Sequence, residues 1–211
     1  MRIKVCGMTL PEQVNALDEM GVDLAGFIFY PKSPRCIANK IAPEKMKKIG
    51  GRIGKVGVFV NDTYETIMKT VEDYRLDIVQ LHGDETERFC DKLSDYVTVI
   101  KAFRPGNNDL IDWMIRPYHE YCDMFMFDTI GVGYGGTGVK FDPAVLANKQ
   151  LDKLFLLGGG IEPGDEENLK LFAKEPVAAK LFAVDLGNKF EVATGIKDMS
   201  KIQTFVNGLR K

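Results

Sequence analysis

The chain has 211 residues, of which 45% are hydrophobic and 27% are charged, and its formal net charge is −2 at pH 7. This length suits one domain with a substantial core. The chain lacks the strongly basic composition of a nucleic-acid-binding protein, and no apolar run reaches the roughly 18–20 residues that span a bilayer. The sequence therefore predicts neither a nucleic-acid partner nor a membrane partner.

Eight short and mostly apolar runs predict eight β-strands. In chain order they are residues 3–6, 24–29, 55–60, 78–81, 97–102, 124–128, 153–157 and 180–185. Continuous apolar runs are typical of strands that are covered on both faces, as in a parallel sheet.

Eight helical segments are predicted between and after these strands. They are residues 11–20, 43–49, 63–74, 85–93, 108–121, 142–147, 163–173 and 198–207. Thr9 with Glu12 predicts a capping box for the first helix, Pro117 predicts a bend or break in the fifth, and Gly208 predicts the cap that ends the last. Strands and helices alternate without a linker, which predicts an α/β fold, a single-domain (β/α)₈ TIM barrel over residues 1–211.

Glycine-rich segments follow the last three strands, at the carboxyl-terminal face where barrels of this kind carry their active sites. They are Gly136, Thr137 and Gly138; Gly158, Gly159 and Gly160; and Gly187 with Asn188. Glycines let backbone N–H groups approach an oxyanion, and the loops after strands 7 and 8 often bind phosphate. Each segment alone also fits a turn or a helix cap, but together they predict a phosphate site.

Cys6 ends the first strand and Asp128 ends the sixth. A thiol acts as a base only as a thiolate, so the pKa of Cys6 would have to be lowered. A carboxyl acts as a general acid near pH 7 only if its pKa is raised. The two residues together predict an acid/base couple with opposite tuning. Taken singly, Cys6 also fits a buried apolar residue and Asp128 fits a loop cap.

Arg35 and His82 are further candidates at strand ends. Arg35 follows Pro31 and Pro34 in a stiff loop, where a guanidinium could bind a substrate carboxylate or simply pair at the surface. His82 could orient substrate or satisfy a backbone carbonyl. The four cysteines lack Cys-x-x-Cys spacing and there are only two histidines, so the sequence predicts reduced thiols, a cytoplasmic protein and no metal site.

Segments along the whole chain resemble the phosphoribosylanthranilate isomerase family of tryptophan biosynthesis. They are residues 4–9, 26–29 with 33–35, 56–61, 79–85, 127–129 with 135–138, 157–161 and 195–198. The resemblance implies a (β/α)₈ barrel that catalyses the Amadori rearrangement of N-(5-phosphoribosyl)anthranilate to 1-(2-carboxyphenylamino)-1-deoxyribulose 5-phosphate. It implies a small phosphosugar substrate, no metal and no organic cofactor, and it leaves both a monomer and a homodimer open.

The same resemblance implies roles for individual residues. Asp128 matches the general acid that protonates the furanose ring oxygen, and Cys6 matches the base that removes the C2 proton. Arg35 matches the arginine that faces the anthranilate carboxylate, and the glycine segments match the phosphate site. Two departures lie in that site. Gly158 replaces the family's alanine, and Gly187 and Asn188 replace two serines, so Asn188, backbone N–H groups and an inward-pointing Lys189 are the expected substitutes.

Three other functions remain compatible with parts of the pattern. The related isomerase of histidine biosynthesis would carry an aspartate at the position of Cys6, and phosphate loops in both halves. A metal-dependent ribulose-phosphate epimerase would need a His/Asp cluster, which two histidines make difficult. A non-catalytic phosphosugar-binding module could use the same barrel, but binding alone requires neither Cys6 nor Asp128.

Overall fold

A computed structural model describes residues 1–38, 40–49, 51–105, 111–129, 142–146 and 149–211. Eight parallel strands pair in chain order and close into a barrel. They are β1 (Arg2–Cys6), β2 (Leu24–Ile28), β3 (Gly54–Phe59), β4 (Ile78–Leu81), β5 (Thr98–Phe103), β6 (Met124–Phe127), β7 (Leu154–Leu157) and β8 (Leu181–Leu186). The last strand pairs with the first, so the predicted TIM barrel is confirmed.

Seven α-helices lie in the described part of the chain. They are α1 (Pro11–Glu19), α2 (Pro43–Met46), α3 (Tyr64–Tyr74), α4 (Glu87–Ser94), α5 (Ile111–Ile115), α6 (Glu166–Phe172) and α7 (Met199–Arg210). The sixth predicted helix is instead a 3₁₀ turn, Pro143–Leu146. The bend predicted at Pro117 is confirmed, because α5 ends at Ile115 and the 3₁₀ turn Arg116–Tyr118 follows.

Two predicted helix caps are wrong. Leu10, not Thr9, is the N-cap of α1, and no side chain caps this end. Thr9 instead donates its hydroxyl to the carbonyl of Gly195, far along the chain. Gly208 lies inside α7, which continues to Arg210. A Cβ at Gly208 would lie 2.9 Å from Glu166 Cγ, so this glycine permits the close approach of α6 and α7 and does not end a helix.

Apolar side chains form two layers, one on the inner and one on the outer face of the strands. One fills the barrel interior and consists of Leu24, Val56, Ile78, Ile100, Ala102, Met124, Met126, Leu156 and Ala183. The other, larger layer packs the outer faces of the strands against the helices and contains Ile3, Val5 and Val184. Successive strand residues point to opposite faces, so Lys4, Cys6 and Asp185 face the interior.

A short hairpin that the sequence did not predict follows β8. Its strands, β9 (Glu191–Ala193) and β10 (Ile196–Lys197), pair antiparallel. The Gln13 side chain fixes the hairpin to α1, since it donates to the carbonyl of Lys197 at 2.7 Å and accepts from the N–H of Lys197 at 3.0 Å. The hairpin therefore lies over the rim of the barrel. Within the described ranges, no helix is both long and apolar enough to cross a bilayer.

Candidate active site

A cavity of about 850 Å³, counting the space open to solvent at its mouth, lies at the carboxyl ends of the strands. Its lining residues are Cys6, Ile28, Tyr30, Ser33, Arg35, Val58, Val60, Gln80, His82, Met126, Asp128, Gly159, Gly160, Ile161, Asp185, Gly187 and Asn188. Its size suits a small organic ligand, and a largely apolar wall with a few convergent polar groups is typical of such sites. Most of the sequence-predicted site residues therefore meet in one place.

Cys6 reaches the cavity because its neighbour on β2 has no side chain. Gly26 is its register partner, and a Cβ there would lie 2.8 Å from Cys6 Sγ. Burial raises the pKa of the Cys6 thiol, although Lys4 and Lys197 oppose this effect. A thiolate base would need a lowered pKa, whereas here the loss of water outweighs the nearby positive charges.

Asp128 follows β6 and is held from both sides. Its Oδ1 accepts the N–H of Thr129 at 2.7 Å, and its Oδ2 lies 3.2 Å from His82 Nε2. Burial alone would raise the pKa of Asp128, but the hydrogen bonds and the charge of His82 outweigh it and hold the pKa below its usual value. A general acid near pH 7 would need the opposite shift of this pKa. Gly159, at φ +83°, permits this packing, since a Cβ there would lie 2.8 Å from Asp128 Oδ1.

Gln80 contacts the His82 ring, and His82 in turn contacts Asp128. Gln80 Nε2 lies 2.8 Å from His82 Nδ1. If the amide donates this bond, Nδ1 is an acceptor and the ring proton sits on Nε2, which faces Asp128. His82 is buried and lines the cavity, so it contacts a predicted catalytic residue and does not merely satisfy a backbone carbonyl.

Arg35 lines the cavity but already has a protein partner. Its Nε and Nη2 donate to Glu191 Oε1 and Oε2 at 2.8 and 2.7 Å. Buried Lys197 donates to the same carboxylate at 3.0 Å and to the carbonyl of Gly187 at 3.0 Å. Arg35 and Lys197 hold the pKa of Glu191 below its usual value against the effect of burial. The sequence analysis missed Glu191 and Lys197 as site residues, because Arg35, the residue that connects them to the cavity, lies 156 positions before Glu191.

Lys4 and Asp185 form a second pair that the sequence analysis missed. Lys4 is fully buried, and its Nζ lies 3.0 Å from Asp185 Oδ2. Burial lowers the pKa of Lys4, but the nearby negative charge, chiefly that of Asp185, outweighs this and raises it. One signal was available in the sequence, because Lys4 stands two residues before Cys6 and a strand places both on one face.

The loops after β7 and β8 contribute only part of the predicted phosphate site to the cavity. Gly159 and Gly160 have positive φ angles and line it, and Gly187 and Asn188 line it from the other side. Gly158 instead lines a second cavity between β7 and α6. Lys189 is not among the lining residues of the first cavity, and its Nζ lies 3.7 Å from Glu162 Oε2 at the surface.

Other sequence predictions concern the loop after β6 and the metal and cysteine chemistry. Gly136, Thr137 and Gly138 lie outside the described residues. All four cysteines are free thiols. In the part of the chain that the structure describes, no group of three or more His, Cys, Asp or Glu side chains could hold a metal ion.

The whole chain is similar to one family of proteins. Residues 3–208 match the family model described as N-(5′-phosphoribosyl)anthranilate (PRA) isomerase. A protein from Phocaeicola vulgatus named N-(5′-phosphoribosyl)anthranilate isomerase is 37% identical over 212 residues, which cover 100% of this chain and 98% of the relative.

Solved structures give the same result. Phosphoribosyl anthranilate isomerase from Thermotoga maritima superposes with a TM-score of 0.86 at 32% identity, covering 100% of this chain and 98% of that one. A phosphoribosyl anthranilate isomerase in complex with reduced 1-(o-carboxyphenylamino)-1-deoxyribulose 5-phosphate superposes with a TM-score of 0.79 at 30% identity and the same coverage.

Proposed function

The chain belongs to the N-(5′-phosphoribosyl)anthranilate isomerase family, and we propose that it catalyses the Amadori rearrangement of N-(5-phosphoribosyl)anthranilate to 1-(2-carboxyphenylamino)-1-deoxyribulose 5-phosphate in tryptophan biosynthesis. One observation supports this reaction most directly. Cys6 and Asp128, a thiol from β1 and a carboxyl from the end of β6, line the same cavity. The rearrangement needs one proton donor and one proton acceptor on a single sugar, and two such groups around one pocket can provide both.

Asp128 protonates the furanose ring oxygen, so that the ring opens to a Schiff base. Cys6 then removes the C2 proton, and the resulting enolamine tautomerises to the ketone. His82 orients Asp128 through the contact between Nε2 and Oδ2. Arg35 binds the anthranilate carboxylate through donors that its bidentate pair with Glu191 leaves free.

The directions of the two pKa shifts fit this cycle if the active form is the one in which the proton has moved from the Cys6 thiol to the Asp128 carboxylate. The structure favours an Asp128 carboxylate and a Cys6 thiol, whereas the reaction starts from an Asp128 acid and a Cys6 thiolate. Both forms carry one proton between the two groups. The reactive form is therefore a minor fraction of the enzyme, and this fraction stays constant over a wide pH range, because the reactive and resting forms carry the same number of protons.

The substrate phosphate binds at the glycine-bearing wall of the cavity. We assign its contacts to the backbone at Gly159, Gly160 and Gly187 and to Asn188, which line that wall. The loop residues Gly136, Thr137 and Gly138 complete the proposed phosphate site. Gly158 supports this wall from behind, since it lines the second cavity and its N–H donates to the carbonyl of Phe127 at 2.8 Å. The partner of the protein is thus a small phosphosugar. We place the enzyme in the cytoplasm, as a monomer or a homodimer, and the reaction uses no cofactor because it is an internal redox isomerisation.

The test follows the loss of phosphoribosylanthranilate fluorescence with purified protein. Cys6→Ala and Asp128→Asn should each lower kcat by about two to four orders of magnitude, the usual contribution of a general acid or base. Cys36→Ala and Asp73→Asn, at a thiol and a carboxyl outside the cavity, are the matched controls and should retain wild-type turnover. Absence of activity in the wild type, or wild-type activity in either site variant, would contradict the proposal.

A further inference from the structure

Lys4 carries a positive charge into the barrel interior directly below Cys6. The two side chains stand two residues apart on the same face of β1, and Asp185 is the register partner of Lys4 on β8. Lys4 is fully buried, with its Nζ 3.0 Å from Asp185 Oδ2. The cavity above is lined by Cys6 and Asp185, so the ammonium lies beneath the wall that would face substrate.

Packing alone does not require an ammonium at this place. The neighbouring interior positions are apolar, and a buried ion pair is often no more stabilising than hydrophobic side chains of similar volume. The pair is also incompletely satisfied, since Asp185 Oδ1 is buried and accepts no hydrogen bond from the described residues. A charge placed at this cost next to a thiol suggests a role in the chemistry of that thiol.

We propose that Lys4 is a positioning residue that stabilises the thiolate of Cys6, and that Asp185 keeps Lys4 protonated. The role of Cys6 as the base rests on the proposed function, but the interaction between Lys4 and Cys6 exists without substrate. Lys4 keeps its own protons throughout. It acts by its charge, and it transfers nothing to substrate.

The charged groups around Cys6 come from four elements. Lys4 on β1 and Lys197 on β10 favour the thiolate, and Asp185 on β8 disfavours it. Arg35, in the loop after β2, also interacts with the thiolate charge. Among these neighbours the charge of Lys4 has the largest effect that lowers the pKa of Cys6, and Lys4 is the one that shares a strand face with it. Removing Lys4 should therefore raise this pKa more than removing any other neighbour.

The reactivity of Cys6 toward iodoacetamide measures this effect without substrate. The full chain is alkylated between pH 6 and 11, and each cysteine is quantified by peptide mass spectrometry. An opposite charge at short range shifts an acid by about one to three pKa units. Alkylation of Cys6 at pH 8 should therefore slow at least about tenfold in Lys4→Met, because only the thiolate reacts. Cys36, in the same samples, should keep its wild-type rate.

Matched double variants separate this role from a purely structural one. Lys4→Met/Asp185→Asn leaves no unpaired charge, folds if the single variant does not, and should still slow alkylation of Cys6. Lys101→Met/Glu85→Gln removes a second buried pair that lies outside the cavity and should leave the Cys6 profile unchanged. An unchanged Cys6 profile in the Lys4 variants, or an equal shift in the Lys101 variant, would overturn the inference.

The same samples keep this inference distinct from the proposed function. In the isomerase assay Lys4→Met should lower kcat with little change in KM, because the base acts in the chemical step. If the wild type showed no isomerase activity but Lys4→Met slowed alkylation of Cys6, the proposed function would fail and the interaction would stand. If the isomerase were active and alkylation unchanged, the reverse would hold.

Discussion

Among the described residues, two of the buried lysine–carboxylate pairs differ in how completely their polar atoms are satisfied. In the closed pair, Lys101 Nζ lies 2.9 Å from Glu85 Oε2 and donates to the carbonyl of Gly83 at 2.8 Å, while the Glu85 carboxylate also accepts the N–H groups of Asn61 and Gly83. In the open pair, Lys4 with Asp185, one carboxylate oxygen accepts nothing from the described residues.

This difference indicates that the closed pair contributes to stability and the open pair to the chemistry of the site. The closed pair joins the loops after β3 and β4 to β5, away from the cavity lining, and a network with all its members bonded stiffens the structure. The open pair borders the cavity beside the Cys6 thiol, and its Asp185 Oδ1 accepts no hydrogen bond from the described residues. A buried charge pair in an enzyme is therefore better judged by its unsatisfied atoms than by its ion-pair distance, which is 2.9 Å in one case and 3.0 Å in the other.

Breaking the closed pair should have the largest effect on stability. Lys101→Met leaves the Glu85 carboxylate buried without its cation, which usually costs about 3–5 kcal/mol. Urea unfolding followed by circular dichroism should show this loss. Lys4→Met should cost less, because the cavity can bring water to Asp185. Equal losses in both variants would remove the distinction between the two pairs.

Glu191 extends the comparison to a third carboxylate, which is shared by Arg35 and Lys197. Glu191→Gln should raise KM about tenfold with kcat within about threefold, because a charge-assisted hydrogen bond of about 1.5–3 kcal/mol no longer orients Arg35. The affinity for ribose 5-phosphate, which lacks the carboxylate, should not change. Exposed Glu65 provides the matched control Glu65→Gln. A fall in kcat at constant KM would place Glu191 in the chemical step instead.

The smallest expected effect is that of pH on the wild type. The pKa of Asp128 is held below its usual 3.8 and that of Cys6 above its usual 9.0. Activity is lost only when the pair gains a second proton, below the first value, or loses its last, above the second. The profile of kcat/KM should thus vary less than about twofold between pH 5 and 8.5. A narrow bell centred near pH 6–7 would indicate the opposite tuning.

The sequence predicted the barrel because its evidence is local. Each of the eight barrel strands is a mostly apolar run of four to six residues, and each of their boundaries lies within a residue of its predicted position. The errors occur where distant contacts override a local pattern. Thr9 and Glu12 form a capping-box pattern, but Gly195 takes the Thr9 hydroxyl. Gly208 looks like a helix end, but it stays helical because α6 packs against it.

The candidate site divides in the same way. Cys6 and Asp128 were found because strand ends are visible in the sequence. His82 was a candidate too, but its contact with Asp128 was not predicted, because 46 positions separate the two residues. Lys4 was missed because its partner lies on the last barrel strand. Desolvation also depends on the closed barrel, which no single segment encodes. The sequence can therefore suggest candidate positions at strand ends, but not the directions of their pKa shifts.

The contacts that orient Arg35 have a consequence for how the enzyme is made. Arg35 is separated from Glu191 by 156 positions, and Thr9 from Gly195 by 186. Because a ribosome releases the amino-terminal part first, the first strands leave the exit tunnel long before their partners are synthesised. A nascent chain can then contain most of the barrel strands while Arg35 still lacks Glu191, the residue that orients it. Catalytic activity is therefore expected only late in translation, and truncated translation products are predicted to be inactive.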